Sequence, residues 1–195
     1  LSGRLIRAVH KELLTGVRGQ ERSPGHFRRS QNWIGPAGCT LANAAFVPPS
    51  PADLSGAFAE LERFLNDERQ PPLVTAGLAH AQFETIHPFL DGNGRVGRLL
   101  ITFLLCERKA LLKPVLYLSH YLKRNRTQYY ERLQEVRDEG KWEEWLKFFL
   151  EGIAEVSAQA TETARRILAL REEHRHLITA RFGRGAAQSY SRRQT

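Results

Sequence analysis

The chain is predicted to be all-helical. Three observations carry this. Apolar residues recur at steps of three and four in several separate segments between residues 2 and 175. Prolines and glycines punctuate those segments at their ends. Runs able to form strands are confined to a turn-rich stretch at 23–49 and a short link at 113–119. At 195 residues the chain is most simply one domain with a real hydrophobic core.

Residues 2–15 read as an amphipathic helix with Leu5, Ile6, Val9, Leu13 and Leu14 on one stripe, closed by Gly16 and Gly19. The stretch 23–49 is rich in turn formers. A second helix spans 51–66, where Leu54, Phe58, Leu61 and Leu65 keep helical spacing. A third follows Pro71 and Pro72. Its buried stripe is Ala76, Ala79, Phe83 and Ile86, and it delivers His87 at its end. Its small residues Ala76, Gly77 and Ala79 let neighbouring helices approach closely. His10, His26 and His80 have no motif around them and read as structural or exposed.

Residues 85–98, Thr-Ile-His-Pro-Phe-Leu-Asp-Gly-Asn-Gly-Arg-Val-Gly-Arg, combine an imidazole, a carboxylate, a glycine-framed turn and two arginines. His87 precedes Pro88, so it is pushed out of the right-handed helical region and the incoming helix ends there. Gly92 and Gly94 frame Asn93 in a turn whose successive amides can form a small anion trap. From about Arg95 the pattern is helical again. Val96, Leu99, Leu100, Phe103 and Leu104 recur at helical steps, and Ile101 and Leu105 make the segment apolar nearly all round. This segment is predicted to be the centre of the domain.

The trap therefore sits at a helix N-terminus, where free amides and the macrodipole favour negative charge. Arg95 and Arg98 share a face and can reach back over one anion with forked donors suited to phosphate. Asp91 would repel a phosphate unless a cation lies between them. A magnesium ion held by one carboxylate and phosphate oxygens resolves that conflict. His87 titrates near neutrality when unperturbed and can take a proton from an attacking hydroxyl. Taken singly, these residues have ordinary readings: a structural histidine, a turn carboxylate, a solvated basic face. Each such reading leaves the others unexplained.

Beyond this, 121–133 is a further helical region. Residues 141–175 read as one long or bent helix, with Trp142, Trp145, Phe148, Phe149 and Ile153 packing early and Leu168, Leu170 and Leu177 later. Past Thr179 the apolar pattern fades, and a flexible end is expected from Gly183. In domain terms the expectation is a core at 1–160, a helical extension at 161–180 and a basic tail at 181–195, all within a piece of a longer protein, since the sequence starts at Leu1 and has no methionine.

His-Pro-Phe-Leu-Asp-Gly-Asn-Gly-Arg-Val-Gly-Arg at 87–98 resembles the full signature of Fic-domain proteins, most of which transfer AMP to protein hydroxyls. The resemblance implies an all-α helical bundle with a small β-hairpin flap over the active site. It makes His87 the general base and Asp91 the magnesium holder. Gly92, Asn93, Gly94 and Arg95 would cradle the phosphates, Arg98 would contact the terminal phosphate, and Phe89 would anchor the loop. A phosphorylating branch carries lysine at the position of Gly94; glycine implies the AMP-transferring orientation of ATP. Arg-Arg-Ser-Gln-Asn-Trp-Ile-Gly at 28–35 and Phe-Val-Pro-Pro at 46–49 are similar to the family's flap, in which Trp33, Ile34 and Gly35 would pair with a target segment by strand addition. Tyr130, and less directly Tyr129, falls where the family lines its adenine and ribose pocket; core packing remains open for both. The family's inhibitory helix, with Ser or Thr four positions before a glutamate followed by Gly or Asn, has no counterpart here; the expectation is that it lies upstream in a longer protein and that this chain is less restrained than its parent.

The implied reaction is attack of a Ser, Thr or Tyr hydroxyl on the α-phosphorus of ATP with release of pyrophosphate, in a magnesium-dependent nucleotidyltransferase. Removal of AMP, transfer of another nucleotide-derived group, and a DNA-associated nucleotide sensor are the alternatives. The expected partner is a protein carrying an acceptor hydroxyl, itself included, and a homodimer is compatible. The net charge is +8, and residues 161–195 hold eight arginines against three glutamates. That tail can touch DNA or simply be a solvated face. Two cysteines, Cys39 and Cys106, are too few for a disulfide framework. No signal peptide or apolar run of about eighteen residues is visible, so a cytoplasmic setting is expected, with no membrane partner.

Overall fold

The computed structural model describes residues 1–36, 38–114 and 117–182. Among them are seven α-helices: α1 (Gly3–Leu14), α2 (Leu54–Leu65), α3 (Pro72–Ile86), α4 (Asn93–Glu107), α5 (Leu118–Arg124), α6 (Arg126–Glu139) and α7 (Trp142–Phe182). The chain divides into two compact units, Leu1–Ile153 and Ala154–Thr195. The flexible end expected from Gly183 lies outside the described residues.

In the first unit α3 packs chiefly against α4 and α2, and α1 lies against α4 and α2. α1 starts at Ser2, whose hydroxyl accepts from the Leu5 amide at 3.3 Å. Its core face is Ile6, His10 and Leu14. Leu5, placed on the predicted stripe, is exposed, and His10 occupies a core position instead. α2 buries Leu54, Phe58, Leu61 and Leu65 as its spacing predicts.

α3 begins with Pro72 at its first turn, where the missing amide proton costs nothing. Its predicted stripe is fully buried, and Thr75, Gly77, His80, Ala81 and Glu84 are buried too. A Cβ on Gly77 would lie 2.9 Å from both Leu146 and Phe149, so α7 rests directly on the α3 backbone. Trp145 seals the contact by donating its indole N–H to the Gly77 carbonyl at 2.8 Å. α4 starts at Asn93, two residues before the predicted start, because Gly92 rather than Gly94 makes the turn. Its buried stripe is Val96, Gly97, Leu100, Ile101, Leu104 and Leu105, while Leu99 and Phe103 are only half-buried. Each fully buried large apolar side chain contributes roughly 1.5–3 kcal/mol.

Two expectations change here. The helical region at 121–133 is divided at Asn125, whose φ of −101° and ψ of 36° end α5 and open α6. The expected hairpin is reduced to one antiparallel bridge between Ile34 and Phe46, with amide-to-carbonyl distances of 2.8 and 3.0 Å. Among the described residues there is no β-strand. Prolines at 36, 48 and 49 lack amide protons, which limits a ladder on either side of that bridge.

In the second unit the helix continues to Phe182. Ile167, Leu168, Leu170 and Leu177 are 51–61% exposed, so the later leucines do not pack as predicted. Among the described residues no helix is long and apolar enough to cross a membrane.

Candidate active site

His87 caps α3 in the left-handed conformation, φ 47° and ψ 61°, rather than in the extended region expected before Pro88. For a non-glycine residue that conformation costs roughly 1–2 kcal/mol, so something must hold it. Its amide donates to the Phe83 carbonyl at 2.9 Å, and its own carbonyl accepts from Arg28 Nε at 3.0 Å. The Arg28 amide bonds the Pro88 carbonyl at 2.9 Å, tying the loop to the same corner.

Phe89 is fully buried and stacks on the His10 ring, with centroids 3.7 Å apart. His10 Nδ1 accepts from the Gly25 amide at 2.8 Å. Its Nε2 is therefore the protonated nitrogen and donates to the Asp91 carbonyl at 3.0 Å. Asn93 closes the loop from the other side. Its Oδ1 accepts from the Phe89 amide at 2.9 Å and its Nδ2 donates to the Phe89 carbonyl at 2.7 Å. That side chain is fully engaged, which leaves the residue's backbone amide for a ligand.

Gly92 sits at φ 81°, where a side chain would be strained. Behind it the amides of Asn93, Gly94 and Arg95 are first-turn donors of α4 with no intrahelical acceptor. Asp91 Oδ1 accepts from the Gly92 amide at 2.6 Å. Its carboxylate is one-third exposed, and a Cβ on Gly19 would lie 2.6 Å from Oδ2. Among the described residues no group of three His, Cys, Asp or Glu side chains is placed to hold a metal by itself. A single hard oxygen ligand beside an anion trap nevertheless fits magnesium shared with phosphate.

The two arginines differ. Arg95 donates to the carbonyls of Leu13 at 3.5 Å and Arg18 at 3.3 Å, so its guanidinium is taken up by the end of α1 and the loop after it. Arg98 lies against Gly94, whose Cβ position is 3.0 Å from Nη1. It also lines a cavity of about 910 Å³ together with Tyr129, Tyr130, His120, Lys123 and Arg126. Tyr130 is half-exposed to this space, whereas Tyr129 is buried and its hydroxyl meets His80 Nε2 at 2.9 Å. One aromatic is thus available to a ligand face, and the other is mainly core.

Burial dominates the titration of the site. It pushes His87 down to about 4 and His80 down to about 4, so both imidazoles are neutral at neutral pH. It pushes Glu84 up to about 7, against the pull of Arg98 and Arg137. Tyr129 is held well above the ordinary tyrosine range by burial and by Glu84.

The family model described as Fic/DOC family matches residues 1–105, more than half of the chain. The chain belongs to the Fic/DOC family. It is 36% identical over 146 residues to protein adenylyltransferase Fic of Drosophila ananassae and to that of Aedes aegypti, covering 73% of this chain and 26% of each relative. The chain thus spans about a quarter of the length of those relatives. A Fic family protein from Desulfovibrio desulfuricans has a similar structure, with a TM-score of 0.73 at 26% identity over 84% of this chain and 48% of that one. The fold is also shared with Fic-1 of Caenorhabditis elegans, at a TM-score of 0.57 and 21% identity over 85% of this chain and 44% of that one.

In this Fic domain the expected flap residues sit on a closed loop. Trp33 is exposed and donates its indole N–H to the Cys39 carbonyl at 3.0 Å. Ile34 makes the single bridge, and Gly35 accommodates Cys39, whose Sγ lies 2.6 Å from the position a Cβ would take. His10, read from the sequence as structural or exposed, and Arg28, read as part of the flap stretch, hold the loop in ways the sequence did not show, and neither Glu84 nor Arg137 was singled out. Arg137 bonds the Glu84 carbonyl at 3.2 Å and lies over the Phe46 ring at 4.0 Å. Glu84 left one signal in the sequence, as the sole carboxylate of segment 72–86.

Proposed function

We propose that this domain transfers AMP from ATP to a Ser, Thr or Tyr hydroxyl of a protein, releasing pyrophosphate. The observation that carries the reading is the juxtaposition of a neutral, partly exposed His87 with the free amides that begin α4. A neutral imidazole can accept the hydroxyl proton, and helix-terminal amides favour the phosphate charge that must be held beside it.

In this reading the acceptor oxygen attacks the α-phosphorus, the bond to the bridging oxygen breaks, and the hydroxyl proton passes to Nε2 of His87. The amides of Asn93, Gly94 and Arg95 and the guanidinium of Arg98 neutralise the phosphates. Tyr130 supplies an aromatic face for the base or ribose. Asp91 would hold magnesium, which when bound neutralises phosphate charge and orients the leaving group. The rest of the rate comes from positioning and electrostatic stabilisation. Homology to protein adenylyltransferases supports this assignment, and the loop at 33–35 is the segment that would align a target strand.

The test is incubation with magnesium and ATP labelled at the α or the γ phosphorus, using the protein and His87→Ala, with candidate target proteins present. Label from the α position only, lost in the variant, is expected. Label from the γ position would replace the reading with phosphorylation. No label from either, with release of AMP from a pre-modified protein, would replace it with AMP removal.

A further inference from the structure

Glu84 lies one helical turn before His87 on α3, and its carboxyl is buried in the first unit. Oε2 is 3.9 Å from His87 Nδ1, and the two side chains are 8% and 20% exposed. Both Oε1 of Glu84 and Nδ1 of His87 are buried without a hydrogen-bond partner. A buried carboxyl in an apolar helix is costly unless it meets compensating groups. Here α4 makes room for it: a Cβ on Gly97 would lie 2.8 Å from Oε1, so only glycine leaves that slot open. Arg98 on α4 and Arg137 on α6 supply opposite charge.

We propose that Glu84 is a positioning residue, whose carboxylate faces Nδ1 of His87 and sets the ring so that its Nε2 lone pair meets the acceptor hydroxyl. The role rests on the transferase reading above. With Nδ1–H directed at Glu84, whose main-chain carbonyl lies on the same side as its carboxylate, the other nitrogen is left as the base. When Nε2 takes the hydroxyl proton, the imidazolium is formed beside a carboxylate in a water-poor site. An imidazole without that carboxylate loses the negative charge that favours its protonated form, while burial still opposes its protonation. The arrangement follows the general logic of a base oriented by a third group.

The charged and titratable groups around Glu84 are His87 on its own helix, Arg98 on α4, and Arg137 and Tyr129 on α6, with His80 lining the same slot at Gly97. Arg28 from the loop after α1, Arg137 on α6 and Asp91 of the following loop act on His87. Because Glu84 changes charge at about 7, the orienting carboxylate is fully present only on the alkaline side of neutrality.

The experiment compares the protein with Glu84→Gln and Glu84→Asp. Transfer from α-labelled ATP is followed as kcat and KM across neutral pH, and the histidine side chains are followed by ¹⁵N NMR in the same proteins. Expected for Glu84→Gln are a kcat lower by on the order of 10²-fold, an unchanged KM for ATP, and loss of the rise in kcat through neutrality. Glu84→Asp keeps that rise at reduced kcat. In the NMR experiment His87 is the Nδ1–H tautomer in the parent, with a chemical shift that follows Glu84 ionisation, and Glu84→Gln removes that dependence. An Nε2–H tautomer in the parent, or identical His87 titrations in parent and Glu84→Gln, overturns the proposal. If the parent transfers no label, the transferase reading falls, while the NMR arm still decides the Glu84–His87 coupling. If Glu84→Gln does not fold, the parent's tautomer and the Glu84→Asp titration decide it.

Discussion

Arg28 Nε donates to the carbonyl oxygen of His87 at 3.0 Å, from a side chain that is only 3% exposed. Its Nη2 also bonds the carbonyls of Pro49 and Ile86. One planar cation therefore ties the end of α3, the corner before the phosphate loop and the segment leading to α2.

Replacing Arg28 by alanine leaves those buried carbonyls without donors. The expected cost is on the order of 2–4 kcal/mol of stability, read as a lower urea midpoint. Arg28→Lys should recover little of it, because an ammonium cannot spread its donors over the same fork. Full recovery by lysine would show that charge alone matters.

Stability should fall on acidification. His80 and His87 titrate at about 4 in the folded protein, against 6.5 ordinarily, and His10 is also lowered by burial. The unfolded chain then binds more protons, so their contribution is complete above 6.5 and is lost as pH falls from there toward 4. Glu84 works the other way. Its carboxyl is raised from 4.5 to about 7, so its contribution is complete below 4.5 and lost as pH rises through 7. Thermal melts of Glu84→Gln relative to the parent should thus favour the variant most above neutrality and least near 4.5. A pH-independent difference would contradict this.

The two neighbouring tyrosines should separate cleanly. Tyr129→Phe removes the partner of the buried His80 Nε2 and should cost on the order of 1–3 kcal/mol, with little change in ATP affinity. Tyr130→Ala should leave the melting temperature close to the parent's and weaken ATP binding, measured by calorimetry. Equal effects of both on stability would remove Tyr130 from the cavity's binding face.

Gly97→Ala places a methyl group 2.8 Å from Glu84 Oε1 and 3.1 Å from Phe83 Cδ1. Expected are a loss on the order of 1–3 kcal/mol and a fall in transfer rate from displacement of the carboxyl. Unchanged stability and rate would mean that α3 and α4 slide apart easily.

Much of this was legible from residue spacing. The 3.6-residue period located the helices, and the core faces of α2 and α3 came out as their spacing implies. Proline after His87 marked the end of α3, and the glycine pair marked the start of α4 within two residues. The left-handed setting of His87 was not legible, since it depends on Arg28 arriving from another part of the chain. His10 showed only as an isolated histidine, because its two partners are backbone groups of distant loops. The apolar spacing of Leu168, Leu170 and Leu177 suggested burial, but periodicity reports an amphipathic face and not whether anything covers it. The hairpin reduced to one bridge because proline-rich flanks offer few donors, which composition hinted at and strand propensity concealed.

The loop around the base is pinned by contacts of very long range in sequence. His10 reaches Asp91 across 81 residues, Arg28 reaches His87 across 59, and Arg95 reaches Leu13 across 82. The helices need only local closure, whereas these pins form after the longest loops have closed, at an entropy cost that grows with loop length. During refolding, helical signal should therefore recover well before the His87 corner does, leaving a short-lived species with its bundle formed and its imidazole unset.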